Sequence, residues 1–345
     1  MAYIGADLHV HAISLDGQTD VVGPVLPLPV DGVYATGVWA AGTSLDGKHL
    51  AYFPEASTQL AVLNAASGTS IVVNHVEPYE FGLYWSPDQR YIALGPSGYI
   101  ECINTTNGST LTAPPLQSNT LGSIFLVSQP YGWLDATHVA VEYLPANSAS
   151  EASLQSLDVT TGQLRPIATL PIDHVGLFSV APGGAFTFFA NVQYHGDPFM
   201  PAVDRIDNTT GAVTPLPHLT SLLPAFGFSQ VMWRPGTTQA LVATGFAQNG
   251  DLKYYLMDVQ QDTSVPLAVL GFPVAWSPDG GTLIAAVGTQ QDMANAQGFN
   301  DVGVVGSGPY TLSALTVDGQ GSVHTTVELT EHANTIPMLG FVRTA

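Results

Sequence analysis

The chain has 345 residues, enough for two ordinary domains or for one large all-β domain that buries about three quarters of its unfolded surface. Only 10% of the residues are charged, and the net charge of −20 reflects the scarcity of basic residues, seven in all. A surface of that kind repels phosphate backbones and anionic lipid, which argues against a nucleic-acid partner and against direct membrane insertion.

A single cysteine, Cys102, excludes an internal disulfide and a Cys-based zinc site; in the alternating run "YIECIN" it reads as an inert buried thiol. No apolar run approaches the roughly 18 residues of a membrane-spanning helix, and no signal peptide opens the chain. With so few charges, the surface must be covered by Thr, Ser, Asn, Gln and Ala. That suits an extracytoplasmic domain, secreted, periplasmic or cell-surface, whose targeting segment or anchor lies outside this sequence.

In chain order, the first element is "LHVHAISLDG" (8–17), a strand that places His9 and His11 on one face and ends in a turn. "TSLDGKHLAYF" (43–53) follows, then "LAVLNAASG" (60–68), "LYWSPDQRYIALG" (83–95) and "IECINTTNG" (100–108). The same two patterns alternate from there on. "GWLDATHVAVEY" (132–143), "SVAPGGAFTFFA" (179–190), "MWRPGTTQALVATG" (232–245) and "AWSPDGGTLIAAVG" (275–288) repeat the first. "LQSLDVTTG" (154–162), "VDRIDNTTG" (203–211), "YYLMDVQQD" (254–262) and "LSALTVDGQG" (312–321) repeat the second.

Each pattern is a hairpin. In the first, Pro presets φ for a type I turn that Asp and Gly complete; in the second, Asn or Asp folds an Asx turn and Gly takes positive φ. Two hairpins make a four-stranded unit recurring every 40 to 50 residues or so. The N-terminal copy lacks its first half, and "TIPMLGFVRTA" (335–345) offers a strand without a second half, so the two ends are expected to complete one unit together.

These residues resemble the TolB-like, WD40-like propeller repeat, an apolar strand, W-S-P-D-G, a second strand, and a later strand ending D-x-x-x-G. Residues 85–89 and 276–280 carry the first motif and 158–162 and 207–211 the second. The resemblance implies an all-β, seven-bladed propeller of four-stranded antiparallel blades in one domain. A blade shared between 1–30 and 333–345 closes the ring, and the other blades fall near 33–75, 77–117, 122–171, 174–218, 226–270 and 271–330. Trp85, Trp133, Trp233 and Trp276 are expected to pack between neighbouring blades.

There is no G-x-S-x-G elbow, H-E-x-x-H or P-loop, and no residues remain for a separate hydrolase domain. Junctions between units carry His75, His174, His218 and His332, with Glu77, Glu80, Asp173 and Glu331 alongside. In a propeller these would ring one face, where a divalent metal could sit, His75, Glu77, Asp173 and His332 being the candidates; the alternative is that the histidines tie loops to their neighbours.

Long loops inside the units, at 144–153, 191–201 and 288–309, open on the same face. "YHGDPFM" offers Tyr194, His195, Asp197 and Phe199 as one aromatic and charged cluster, His174 is expected near it, and Asp292, Asn300 and Asp301 would cover the funnel. The reading is a monomeric, non-enzymatic, sensor-type recognition module that binds a protein or small ligand on this loop-rich face, with no catalytic residues and no cofactor. The rival is a propeller enzyme, such as a metal-dependent lactonase or lyase, with its site in the funnel.

Overall fold

The computed structural model describes residues 2–4, 9–18, 20–25, 38–44, 48–54, 58–64, 67–74, 83–95, 100–113, 130–143, 151–171, 175–192, 202–222, 228–244, 253–268, 272–287, 299–300, 303–304, 310–332 and 338–340. Three strands open the chain: β1 (Ala2–Ile4), β2 (His9–Ile13) and β3 (Asp20–Val25). The first blade follows as β4 (Val38–Thr43), β5 (His49–Pro54), β6 (Gln59–Asn64) and β7 (Ser70–Asn74). The second is β8 (Tyr84–Trp85), β9 (Tyr91–Leu94), β10 (Ile100–Asn104) and β11 (Thr110–Ala113).

The third blade is β12 (Pro130–Trp133), β13 (His138–Tyr143), β14 (Glu151–Asp158) and β15 (Leu164–Pro171). The fourth is β16 (Val175–Val180), β17 (Phe186–Val192), β18 (Ala202–Asp207) and β19 (Val213–Pro215), followed by the single turn of helix α1 (Pro217–Thr220). The fifth is β20 (Phe228–Trp233), β21 (Gln239–Thr244), β22 (Lys253–Asp258) and β23 (Thr263–Leu267). The sixth begins with β24 (Phe272–Trp276) and β25 (Thr282–Val287). A two-stranded hairpin, β26 (Phe299–Asn300) with β27 (Gly303–Val304), is inserted before β28 (Tyr310–Val317) and β29 (Val323–His332) complete it; β30 (Met338–Gly340) ends the series.

The expectation of seven four-stranded blades needs correction: the propeller has six blades. Each is self-contained, folded from one continuous stretch, and their strands run from two residues in β8 to ten in β29. The remaining sheet, ordered β3-β2-β1-β30, is a composite of both chain ends rather than another copy of the repeat. Its β1 and β30 have three residues each, and their pairing shifts register between Ala2 and Tyr3. The physical reason is connectivity: no hairpin turn links β30 to β1, so nothing local sets their register. The sixth blade departs in another way, carrying the extra hairpin between its second and third strands.

First strands are innermost. β8 lies beside β12, β12 beside β16, and β30 beside both β24 and β4. Adjacent blades meet through apolar faces, as strand alternation requires. Phe53, Leu60 and Val62 of the first blade pack on Trp85, Ile92 and Ile103 of the second, and Leu154 and Leu170 of the third pack on Phe178, Phe189 and Ile206 of the fourth. Three of the four tryptophans tie blade to blade by hydrogen bonds, and Trp276 packs in the core between the fifth and sixth blades. The indole N–H of Trp85 donates to the Gly42 carbonyl at 3.3 Å, that of Trp133 to the Tyr84 carbonyl at 2.8 Å, and that of Trp233 to the Ser179 hydroxyl at 2.9 Å.

Candidate functional site

The strands have a loop end and a turn end. Most candidate residues of the loop end, namely His75, Glu77, Asp173, His174, Tyr194, His195, Asp197, Phe199, Asp292 and Asp301, lie outside the described residues. Asn300 pairs with Gly303 in the inserted hairpin, and His332 ends β29 opposite Tyr310. That hairpin turns inward, with β26 beside β20 and β27 beside β24, both innermost strands.

His218 is not part of a ring around the funnel. It sits in α1 against the outermost strand of the fifth blade, where its Nε2 shares a hydrogen bond with the Ser264 hydroxyl at 3.0 Å. The Asp262 carboxylate caps the same turn by accepting from the N–H groups of His218 and Leu219, each at 3.0 Å. Register between β2 and β3 shifts between His9 and His11, the extra residue lying in β3. Among the described residues, no group of three or more His, Cys, Asp or Glu side chains could hold a metal ion.

Most of the turn end lies within the described residues. In the second and sixth blades the Ser of S-P-D-x accepts from the backbone N–H five residues on, Ser86 from Tyr91 at 3.0 Å and Ser277 from Thr282 at 2.8 Å. The third blade reads "LDATH" instead, and Asp135 takes over. One of its oxygens accepts from the N–H groups of Thr137 and His138, both at 2.8 Å, and its carboxylate holds His138 Nδ1 at 2.9 Å. A carboxylate only accepts, so Nδ1 carries a proton toward Asp135.

His138 pairs across strands with Asp158, which opens the second turn. Asp158 accepts from the Thr160 hydroxyl at 2.7 Å and the Thr160 N–H at 2.8 Å. The Thr160 hydroxyl, ahead of the other hydrogen bonds and the nearby His138 ring, brings this carboxyl down to about 2. These groups line a cavity of about 600 Å³ between the third and fourth blades, together with Ser156, Arg165 and Asn208. Leu134 and Leu164 give it its apolar parts. Across the cleft, Asn208 donates through Nδ2 to the Gly184 carbonyl at 2.9 Å and accepts from the Thr187 hydroxyl at 2.8 Å.

The sequence marks no candidate binding residue at this end. The departure of "LDATH" from S-P-D-G was the signal that it differs, since Asp and His replace the plain turn residues.

Neither any family model nor any curated protein sequence matches the chain. Solved structures do. An oligogalacturonate lyase from Vibrio parahaemolyticus is similar at 13% identity and a TM-score of 0.57, over 94% of this chain and 85% of that one. The C-terminal WD40 domain of Sif2 is similar at 14% identity and a TM-score of 0.56, over 100% of this chain and 82% of that one. TolB from Acinetobacter baumannii is similar at 11% identity and a TM-score of 0.49, over 94% of this chain and 77% of that one. At such identities the likeness is one of fold alone: this chain is an all-β propeller, and TolB and WD40 propeller domains are among its structural neighbours.

Proposed function

We propose that this propeller is a non-enzymatic recognition module, an extracytoplasmic sensor-type domain that binds a protein or small ligand at its loop end. One observation carries the reading. The insertion in the sixth blade sends a hairpin back onto the innermost strands β20 and β24, instead of simply lengthening an outer loop. A rigid sheet scaffold with variable loops gathered at one end is the usual arrangement for recognition. Tyr194, His195, Asp197 and Phe199, with His174, Asp292, Asn300 and Asp301, are the contact residues of this proposal.

The test is a thermal-shift screen of the intact protein against small molecules and peptides. It is repeated on the fourfold alanine variant of Tyr194, His195, Asp197 and Phe199, and on a chain whose residues 289–309 are replaced by a short Gly-Ser linker. Binding that disappears in both folded variants supports the reading; binding that survives in both refutes the loop-end placement. A stoichiometric, tightly held metal in the purified protein, accompanied by turnover of a lactone or uronide, would move the protein to the enzyme class.

A further inference from the structure

The third blade carries a polar cross-strand pair where three of its sisters are apolar; the fourth is polar there too, with Arg205 opposite Thr214. On the face of each blade that meets the next one, the residue two before the turn Asn or Asp lies opposite a residue of the last strand. That pair is Val62 with Ile71 in the first blade, Cys102 with Leu111 in the second and Leu256 with Val265 in the fifth. All six are apolar and pack into the interblade cores. In the third blade the pair is Ser156 with Arg165. The face of β14 that meets the fourth blade thus runs from Leu154 in the dry core, through Ser156, to Asp158 at the rim.

Ser156 is only 1% exposed, and its hydroxyl has no hydrogen-bond partner among the described residues. A buried hydroxyl left unbonded is destabilising, and an apolar side chain at this position would avoid that. Arg165 is also unusual. The fourth blade carries Arg205 at the position of Ser156, and its guanidinium donates to the Gln260 carbonyl of the fifth blade at 3.2 Å. The Arg165 guanidinium makes no such bond among the described residues. It and Asp158 are diagonal neighbours on one sheet face, roughly 7–8 Å apart by the usual ladder spacing, yet no ion pair joins them.

The equivalent cleft between the fifth and sixth blades shows what such a space accepts. There Arg234, which follows Trp233 as Leu134 follows Trp133, sends its guanidinium into the cleft to the carbonyls of Gly280, Val317 and Asp318. With Leu134 in that place, the third cleft has no plugging cation and retains its cavity.

We propose that the cleft between the third and fourth blades binds a small zwitterion, a free amino acid, with its cationic group against Asp158, its carboxylate against Arg165 and the Ser156 hydroxyl beneath. Two opposite charges held apart on one wall match the two ends of such a ligand. The remaining oxygen of Asp158, His138 Nε2 and the Gln163 amide supply further contacts. The site lies at the opposite end of the strands from the loops, so the loop-end variants leave it intact; amino-acid binding that survives in them but is lost in Arg165→Gln belongs to this cleft and does not count against the loop-end reading.

The experiment is a thermal-shift and calorimetric panel of the standard L-amino acids on the intact protein, with glucose and galactose as neutral comparators. The best amino acid is then offered as its N-acetyl and carboxamide derivatives. We expect each blocked derivative to bind at least tenfold more weakly. Arg165→Gln and Asp158→Asn should each lose at least tenfold as well, while Arg205→Gln changes nothing. Both cleft substitutions sit at exposed or half-exposed positions, and Asn already serves as the turn residue at Asn64 and Asn104, so folding is retained. Absence of binding by every amino acid, equal binding of the blocked derivatives, equal binding of the sugars, or full affinity in Arg165→Gln would each overturn the assignment.

Discussion

The Nε–H of Arg234 donates to the carbonyl oxygen of Gly280 at 2.7 Å, joining the first hairpins of the fifth and sixth blades. The same guanidinium donates to Asp318 O at 3.0 Å, to Val317 O at 2.9 Å and to Gln239 Oε1 at 3.1 Å, and it lies 5.2 Å from the centre of the Trp276 ring. Arg234 occupies the place that Ser86 and Ser277 hold in their blades. A short hydroxyl there closes its own turn, whereas the long planar fork reaches the turn of the next blade. One substitution in a repeat thereby converts an internal turn contact into an interblade bond.

Arg234→Met should destabilise the protein by about 2–4 kcal/mol, because it removes a 9% exposed side chain and orphans three carbonyls. Arg234→Lys keeps the charge without the fork and should recover less than half of that loss. Urea denaturation of the three proteins checks this; a lysine variant as stable as the parent would show that charge alone matters.

Gly184 and Gly183 are adjacent, and both have positive φ, +71° and +84°. A Cβ on Gly183 meets nothing, whereas one on Gly184 would overlap the carbonyl oxygen of Leu134 in the third blade. Gly183→Ala should cost about 1–2 kcal/mol from backbone strain alone. Gly184→Ala should cost about 3 kcal/mol or more, since strain and overpacking add. Comparable denaturation midpoints for the two variants would mean that the blades separate freely at this contact.

The thiol of Cys102 is 2% exposed, and burial, aided by the neighbouring Glu101 charge, pushes it up to about 12. The thiolate is the reactive species, so labelling of native protein by an aromatic disulfide near neutral pH should be about a hundredfold slower than in denaturant. Labelling at comparable rates would show that the second and third blades part readily, because Cys102 lies in the core between them.

The blades were legible because their hairpins are encoded locally, in residues such as Pro87, Asp88, Asp207 and Gly211. The inert setting of Cys102 followed from the same alternation. The composite sheet was harder to specify, because pairing of β1 with β30 depends on chain ends far apart in sequence and on no turn residue. The cleft between the third and fourth blades was missed for a related reason. Ser156 and Arg165 look like ordinary alternation in one strand each, and only the ladder that sets them opposite one another, where the second blade has Cys102 and Leu111, marks the pair as polar. Asp262 shows the reverse case: an apparent decay of the D-x-x-x-G motif keeps positive φ, +51°, and uses its carboxylate to cap the helix beside it.

Acid should unfold this protein through its turns. Hydrogen bonds from Thr160 hold Asp158 at about 2, below its ordinary 3.8, and the carboxyls of Asp207 and Asp318 are also lowered, chiefly by the backbone N–H groups of Thr210 and Ser322. A carboxyl lowered in the folded state stabilises it fully above the unfolded value and loses that contribution as pH falls through the folded value. Melting temperature should therefore be flat from about pH 7 to 5 with respect to these groups, then fall between about pH 4 and 2. Asp158→Asn keeps an acceptor for the turn but cannot titrate, so its acid limb should be shallower than the parent's. Thermal melts across that range decide the matter: parallel limbs for the two proteins would show that Asp158 does not contribute to acid sensitivity.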